Sequence, residues 1–179
     1  LNALNSGLVS QLAGIITEVK GQGTLEGKPV GALIVRGSGR AFVAGADVTE
    51  FHNNTASNVQ TIAAQNIQTC TDIENLSIPV IALVDGFALG GGNELSMSTH
   101  YRIVTENAQL GQPEIKLGII PGYGGLQRLP RLVGPLKGAE LSINGESIDG
   151  RTAVALGLAD EYVPSSTALL RAVRVAQES

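Results

Sequence analysis

Apolar residues recur at helical intervals over residues 6–19, where Leu8, Leu12, Ile15, Ile16 and Val19 form one stripe and Ser6 stands in the N-cap position. The next run, "VGALIVRG", is continuously apolar between glycines, the pattern of a strand buried on both faces. Residues 55–76 return to the helical period, with Val59, Ile62, Ala63, Ile67, Cys70, Ile73 and Leu76 on one face of a long helix. Pro79 turns the chain into a second buried strand, "VIALVDG", and "YRIVT" reads as a third, with three glycines and a short helix between them. The glycine-rich stretch "GSGRAFVAGADVTEF" shows no clean period, and "NAQLGQPEIKLGIIPGYGG" reads as mostly irregular. A helix is predicted over 123–133, closed by Gly134 and stopped by Pro135. Short helices and glycine turns then alternate through "PLKGAELSIN", "GRTAVALG" and "SSTALLRAVRVAQES". Strands alternating with helices predict an α/β fold with a largely parallel sheet. No repeat or linker divides residues 1–179, which read as one domain.

Composition narrows the function. An apolar content of 43% supports a proper core, and a net charge of −4 without a lysine-rich block argues against a nucleic-acid groove. The longest apolar runs, such as "IPVIALV", are far too short to span a bilayer, so no membrane partner is expected. Cys70 is the single cysteine, which excludes an internal disulfide and favours a reducing compartment. With only His52 and His100 besides, no metal-ligand pattern exists. The sequons at Asn53 and Asn75 read as chance, because no secretory signal precedes Leu1.

Three segments carry candidate chemistry. In "FALGGGNELSMSTH" three glycines stand where a helix should begin, with Glu94 one turn further in. The first N–H groups of a helix lack intrahelical acceptors and attract negative charge, and glycine lets an oxygen come close. Tight strand–helix packing explains the glycines equally well, but it leaves Glu94 in an apolar region unexplained. In "FVAGADV", Ala44, Gly45 and Ala46 are small enough for a ligand to touch the backbone; an ordinary connection is the bland alternative. In "LGQPEIKLGIIPGYGG", Glu114 sits in an apolar loop, as a second carboxylate or as a surface group. Two carboxylates beside backbone donors form a more specific pattern than either alone, since their surroundings can separate them into one acid and one base.

"AGADVTEF", "IPVIALVDGFALGGGNEL", "AQLGQPEIKLGIIPGYGGLQRLPRLVG" and "GLADEYVP" resemble, in order and over nearly the whole chain, the successive motifs of the crotonase superfamily, specifically its enoyl-CoA hydratases. The resemblance implies a crotonase-like spiral of β-β-α units that adds water to a trans-2-enoyl-CoA and yields a 3-hydroxyacyl-CoA. It implies that the Ala46 and Gly91 N–H groups hold the thioester oxygen, and that Glu94 and Glu114 serve as acid and base in an order the sequence leaves open. It further implies substrate contacts from Ala44, Gly45, Ala46, Asp47, Val48, Thr49, Gly90, Gly91, Pro121, Gly122 and Tyr123. No cofactor is implied beyond the coenzyme A of the substrate, and no metal.

The match has gaps. The family's first strands and its C-terminal helices, which cover the site and build a trimer, have no counterpart in these 179 residues. The implied assembly is a homo-oligomer, a trimer or dimer of trimers, or a part of a larger multifunctional chain. The implied compartment is the bacterial cytoplasm, with mitochondria or peroxisomes as alternatives. Thr49 stands where relatives often carry a lysine, and Asp85 where asparagine is common. Isomerases and other crotonase reactions, or a non-catalytic acyl-CoA-binding paralogue, are the competing readings; retention of both glutamates favours hydration. A serine peptidase would pair Ser96 or Ser98 with His100, yet no nucleophile elbow is present. His52 is expected in a loop, His100 partly buried at a helix end, and Arg128 and Arg131 on the surface or at an interface.

Overall fold

The computed structural model describes residues 1–47, 49–50 and 55–179, with the side chain of Ala56 set aside. Val48, His52 and the Asn53 sequon therefore lie outside the described residues.

Helix α1 runs Ser6–Gln22 and is capped by Asn5, whose side chain accepts from the Leu8 N–H; the predicted cap, Ser6, is the first helical residue instead. Of the predicted stripe, Ile16 and Val19 are buried and Leu12 packs against the core, while Leu8 and Ile15 are exposed and Val9 is buried instead. A small hairpin, β1 (Thr24–Leu25) with β2 (Lys28–Pro29), precedes β3 (Leu33–Arg36) and β4 (Ala41–Val43). Helix α2, Ala56–Glu74, starts at a Thr55 cap. There follow β5 (Val80–Val84), β6 (Phe87–Leu89), α3 (Gly91–Met97), β7 (Tyr101–Val104) and β8 (Gln109–Gly111). A 3₁₀ turn at Pro113–Leu117 leads to α4 (Gly125–Val133) and α5 (Pro135–Asn144). The chain closes with β9 (Ser147–Asp149), α6 (Gly150–Leu156), β10 (Glu161–Tyr162) and α7 (Ser165–Glu178).

From β3 to β8, consecutive strands go to different sheets. One sheet has the order β10-β7-β5-β3 and is parallel throughout; the other has the order β4-β6-β8-β9, parallel except where β9 returns against β8. Each β-β-helix unit thus places its first strand in one sheet and its second in the other, in agreement with the expected α/β spiral. Strand β5 shows why "VIALV" is apolar without alternation. Val80, Ala82 and Val84 face the core shared by both sheets, while Ile81 and Leu83 face a second core under α7. Strand β3, expected to be buried on both faces, is an edge strand and only half-buried. Strands β4, β6 and β8, of three residues each, lie in stretches where no period was visible. Pro135 does not simply stop a helix: Gly134 ends α4, and Pro135 opens α5 in the first-turn position where its missing N–H costs nothing.

Candidate active site

Strands β4 and β6 are parallel neighbours, so the loops leaving their C-terminal ends emerge side by side. The first loop carries Ala44, Gly45, Ala46 and Asp47. It is bound along one side by residues 1–5: Leu4 N–H donates to Gly45 O (2.9 Å), Asp47 N–H to Leu4 O (2.9 Å) and Ala44 N–H to Leu1 O (3.2 Å). In this parallel bridge, centred on Leu4 and Ala46, the partners are the groups flanking Ala46, so the Ala46 N–H points to the opposite side. It has no acceptor among the described residues. Asp47 is occupied locally, accepting from the Thr49 N–H (3.0 Å) and hydroxyl (2.6 Å), and these bonds hold its carboxyl below the usual range.

The second loop is the glycine triplet. Gly90 has φ 53° and ψ −123°, a region essentially closed to other residues, and its N–H donates to Gly111 O at 2.9 Å. This turn aims α3 into the interior, where every residue from Gly91 to Met97 is buried. A Cβ on Gly92 would drive into the Val43 carbonyl, so α3 lies directly on β4. A Cβ on Gly91 would stand 2.8 Å from the Tyr123 ring and 3.1 Å from Leu4 Cδ1, so Leu4 touches both the Ala46 loop and the Gly91 turn. Gly91 opens the helix, where its N–H has no intrahelical acceptor.

Glu94 is 1% exposed. Its Oε1 accepts from the N–H groups of Tyr123 (2.8 Å) and Gly125 (2.6 Å), in the loop that leads into α4. Burial pushes the carboxyl up to about 7; the nearby Glu114 adds to the rise, and the two amides and Arg128 oppose it. Glu114, on the 3₁₀ turn, is 7% exposed, and its Oε2 is buried without a hydrogen-bond partner among the described residues. Burial raises its carboxyl as well, against a pull from its own backbone N–H. Gly90 links the two acids: its carbonyl accepts from the Glu94 N–H at 2.9 Å, and a Cβ on it would lie 2.9 Å from Glu114 Oε1. Two carboxyls that disfavour ionisation, gathered at one glycine turn beside backbone N–H groups without acceptors, can move protons next to a developing oxyanion.

A family profile described as enoyl-CoA hydratase/isomerase matches residues 1–179. The chain belongs to the enoyl-CoA hydratase/isomerase family. It is 40% identical over 177 residues to a crotonyl-CoA hydratase of Syntrophomonas wolfei, a match that covers 98% of this chain and 66% of that protein. It is 35% identical to a fatty acid oxidation complex subunit alpha of Shewanella amazonensis over 98% of its own length, but over only 25% of that subunit. The crystal structure of an enoyl-CoA hydratase from Bacillus anthracis superposes with a TM-score of 0.90 at 36% identity, covering 98% of this chain and 67% of that one. The chain thus spans between a quarter and two thirds of the length of these relatives, with which it shares the crotonase-like fold.

Of the residues expected at the family's site, Glu94, Glu114, Gly90, Gly91 and Tyr123 are brought together, and Ala44 to Asp47 lie on the adjoining loop. Gly122 and Thr49 are exposed, with Thr49 turned to Asp47, and Pro121 is half-buried. Tyr123 is buried, with its ring against Gly91. Gln112, which the sequence did not single out, is 1% exposed and lies with Glu94 against Gly125. With its amide nitrogen turned to the carbonyls of Gly90 (3.2 Å) and Gly111 (3.1 Å), it joins β8 to the glycine turn. The only advance signal was a polar residue two positions before Glu114. Arg128, expected to pair on the surface or at an interface, does pair with Glu74 at 2.8 Å, but its own side chain is only 11% exposed and also reaches the Tyr123 carbonyl. The peptidase alternative loses its pair, since Ser96 and Ser98 both donate to backbone carbonyls of their own helix. His100 is exposed and bridges Val80 N–H and Glu74 O. Among the described residues, no group of acidic, histidine or cysteine side chains could hold a metal, and no helix is long and apolar enough to cross a membrane.

Proposed function

We propose that this chain forms the reaction centre of an enoyl-CoA hydratase, a hydro-lyase acting on trans-2-enoyl-CoA thioesters. The observation that carries the reading is the pair of buried acids, Glu94 and Glu114, set about Gly90 at the mouth of α3. The thioester carbonyl oxygen accepts from the N–H groups of Ala46 and Gly91. A water oxygen bonds to the β-carbon while the C=C π pair moves toward the carbonyl and builds an enolate at those two donors. One glutamate takes the proton that water loses, and a proton from the other forms the new α C–H bond. The step consumes one water and returns the pair to the same total protonation. Losing one such oxyanion donor costs about 3–4 kcal/mol in comparable sites.

The raised carboxyls support this division of labour, because near neutral pH an interacting pair of buried acids favours a shared proton over two full charges. The Syntrophomonas wolfei relative, named a crotonyl-CoA hydratase, makes crotonyl-CoA the first substrate to try. Hydration is followed by the loss of absorbance of the conjugated thioester. Glu94→Gln and Glu114→Gln are each expected to lower kcat by about 10²–10⁴-fold with the fold intact by circular dichroism. A near-wild-type rate in either variant removes the acid–base assignment, and tight acyl-CoA binding without turnover in the wild type favours the non-catalytic reading.

A homo-oligomer, such as a trimer, is part of the proposal. Ile120, Leu136 and Ile143 are 72%, 88% and 71% exposed, and so much bare apolar surface favours burial against protein. The fatty acid oxidation relative raises the alternative of a larger multifunctional chain. The bacterial cytoplasm is the proposed compartment.

A further inference from the structure

The loop that grips Glu94 is itself gripped from behind. Arg128 lies in the first turn of α4, and its backbone N–H returns to Gly124 O at 3.0 Å. Its Nη1 donates to the Tyr123 carbonyl at 3.1 Å. Its Nε and Nη2 both reach Oε2 of Glu74, the last residue of α2, at 3.2 Å and 2.8 Å. Gly124, with φ 101°, passes so close over Nη1 that a side chain there would displace the guanidinium. Residues 123–125 are thus fixed by Arg128 through a carbonyl, while the N–H groups of the same segment, from Tyr123 and Gly125, converge on Glu94 Oε1.

We propose that Arg128 is a positioning residue for the acid–base pair: by clamping the Tyr123 carbonyl to the end of α2, it keeps two amide donors trained on Glu94. It acts through the loop and is given no contact with the reacting atoms. Lysine cannot reproduce this, because a point ammonium lacks the planar fork that reaches a carbonyl and a carboxylate at once. The charged or titratable groups that interact with Glu94 are Glu114 from the 3₁₀ turn, Arg128 from α4, Tyr123 from the loop and Cys70 from α2. Arg128 is the one cation in that set. Removing it therefore strips an attractive charge and loosens two donors, and both changes favour the protonated form of Glu94.

The clamp rests on the hydratase reading for its kinetic consequence alone, so the test has two arms. In the full-length protein, Arg128→Met is expected to lower kcat for crotonyl-CoA hydration by about 10–100-fold, with KM held within about twofold. Arg128→Lys should recover part of the loss. Independently of turnover, the ¹³C resonance of the Glu94 carboxyl, assigned by its disappearance in Glu94→Gln, should titrate at higher pH in Arg128→Met than in the wild type. An unmoved titration overturns the proposal, whatever happens to kcat, because a merely structural arginine would change stability and leave that midpoint alone. Should Arg128→Met fail to fold, Arg128→Lys keeps the charge but not the fork that holds the Tyr123 carbonyl, and must move the midpoint upward by a smaller amount; no movement again overturns it. If the wild type hydrates no enoyl-CoA, the hydratase reading falls, while the clamp is still decided by the titration.

Discussion

At the scale of single residues, the pressure on this site is electrostatic. Glu94 gives up water on nearly every side and receives two amides on one oxygen, which is too little to restore an ordinary carboxyl. The sign of the stability effect follows. The folded chain holds the Glu94 proton up to about 7, whereas the unfolded chain releases it near 4.5. This residue therefore makes no demand on the fold at acid pH, and stability drains away as pH climbs through that window, by on the order of 3 kcal/mol. Glu94→Gln keeps an oxygen for both amides and cannot ionise. The variant should match or trail the wild type at pH 5 and exceed it above pH 7.5 in urea unfolding; a wild type that stays the more stable at high pH would contradict the burial argument. The sequence made Glu94 and Glu114 visible because a carboxylate in an apolar run demands a reason. Arg128 was not visible, since an arginine in an amphipathic helix ordinarily faces water, and only the fold places the Tyr123 carbonyl beneath it.

At the scale of elements, close packing and ligand access were rival explanations of the glycines at the start of α3. Packing accounts for two of them, and access belongs to the proposed site. Gly92 serves packing, since its missing Cβ is what lets α3 rest on the Val43 carbonyl, a backbone atom that cannot swing aside. Gly90 faces the Glu114 carboxyl. Gly92→Ala should accordingly cost about 1–3 kcal/mol or more of stability, read by urea unfolding, through overpacking against an immovable wall. An unchanged midpoint would mean that α3 and β4 can part without penalty. Helix α2 was legible because its period runs over many residues, and β5 because five apolar residues in a row mark a strand buried on both faces. The three-residue strands β4, β6 and β8 were not: their hydrogen bonds come from neighbours distant in sequence, and three residues cannot display a period.

At the scale of the whole molecule, alternation of strands between two sheets was beyond the reach of pattern reading alone and came from resemblance to a family. Its physical basis is a shared interior: Phe42 and Ala88 of one sheet, Val80 and Val84 of the other, and Ile16 of α1 belong to one apolar cluster. Phe42 is 1% exposed on β4, beside Val43, the residue on which α3 rests. Phe42→Ala should lower stability by about 3–5 kcal/mol, with far-ultraviolet dichroism and tyrosine fluorescence still falling in one coincident transition. Separate transitions for the two probes would show that the sheets unfold independently.

The grip on a single oxygen of Glu94 has an outcome that reaches past rate. A carboxyl tethered through one atom to two amides cannot spin, so its plane stays constant while an acyl chain comes and goes. In the proposed hydration, that fixed orientation would present water and proton to a flat, achiral alkene from set directions, and the alcohol leaving the site would carry one mirror-image form rather than both.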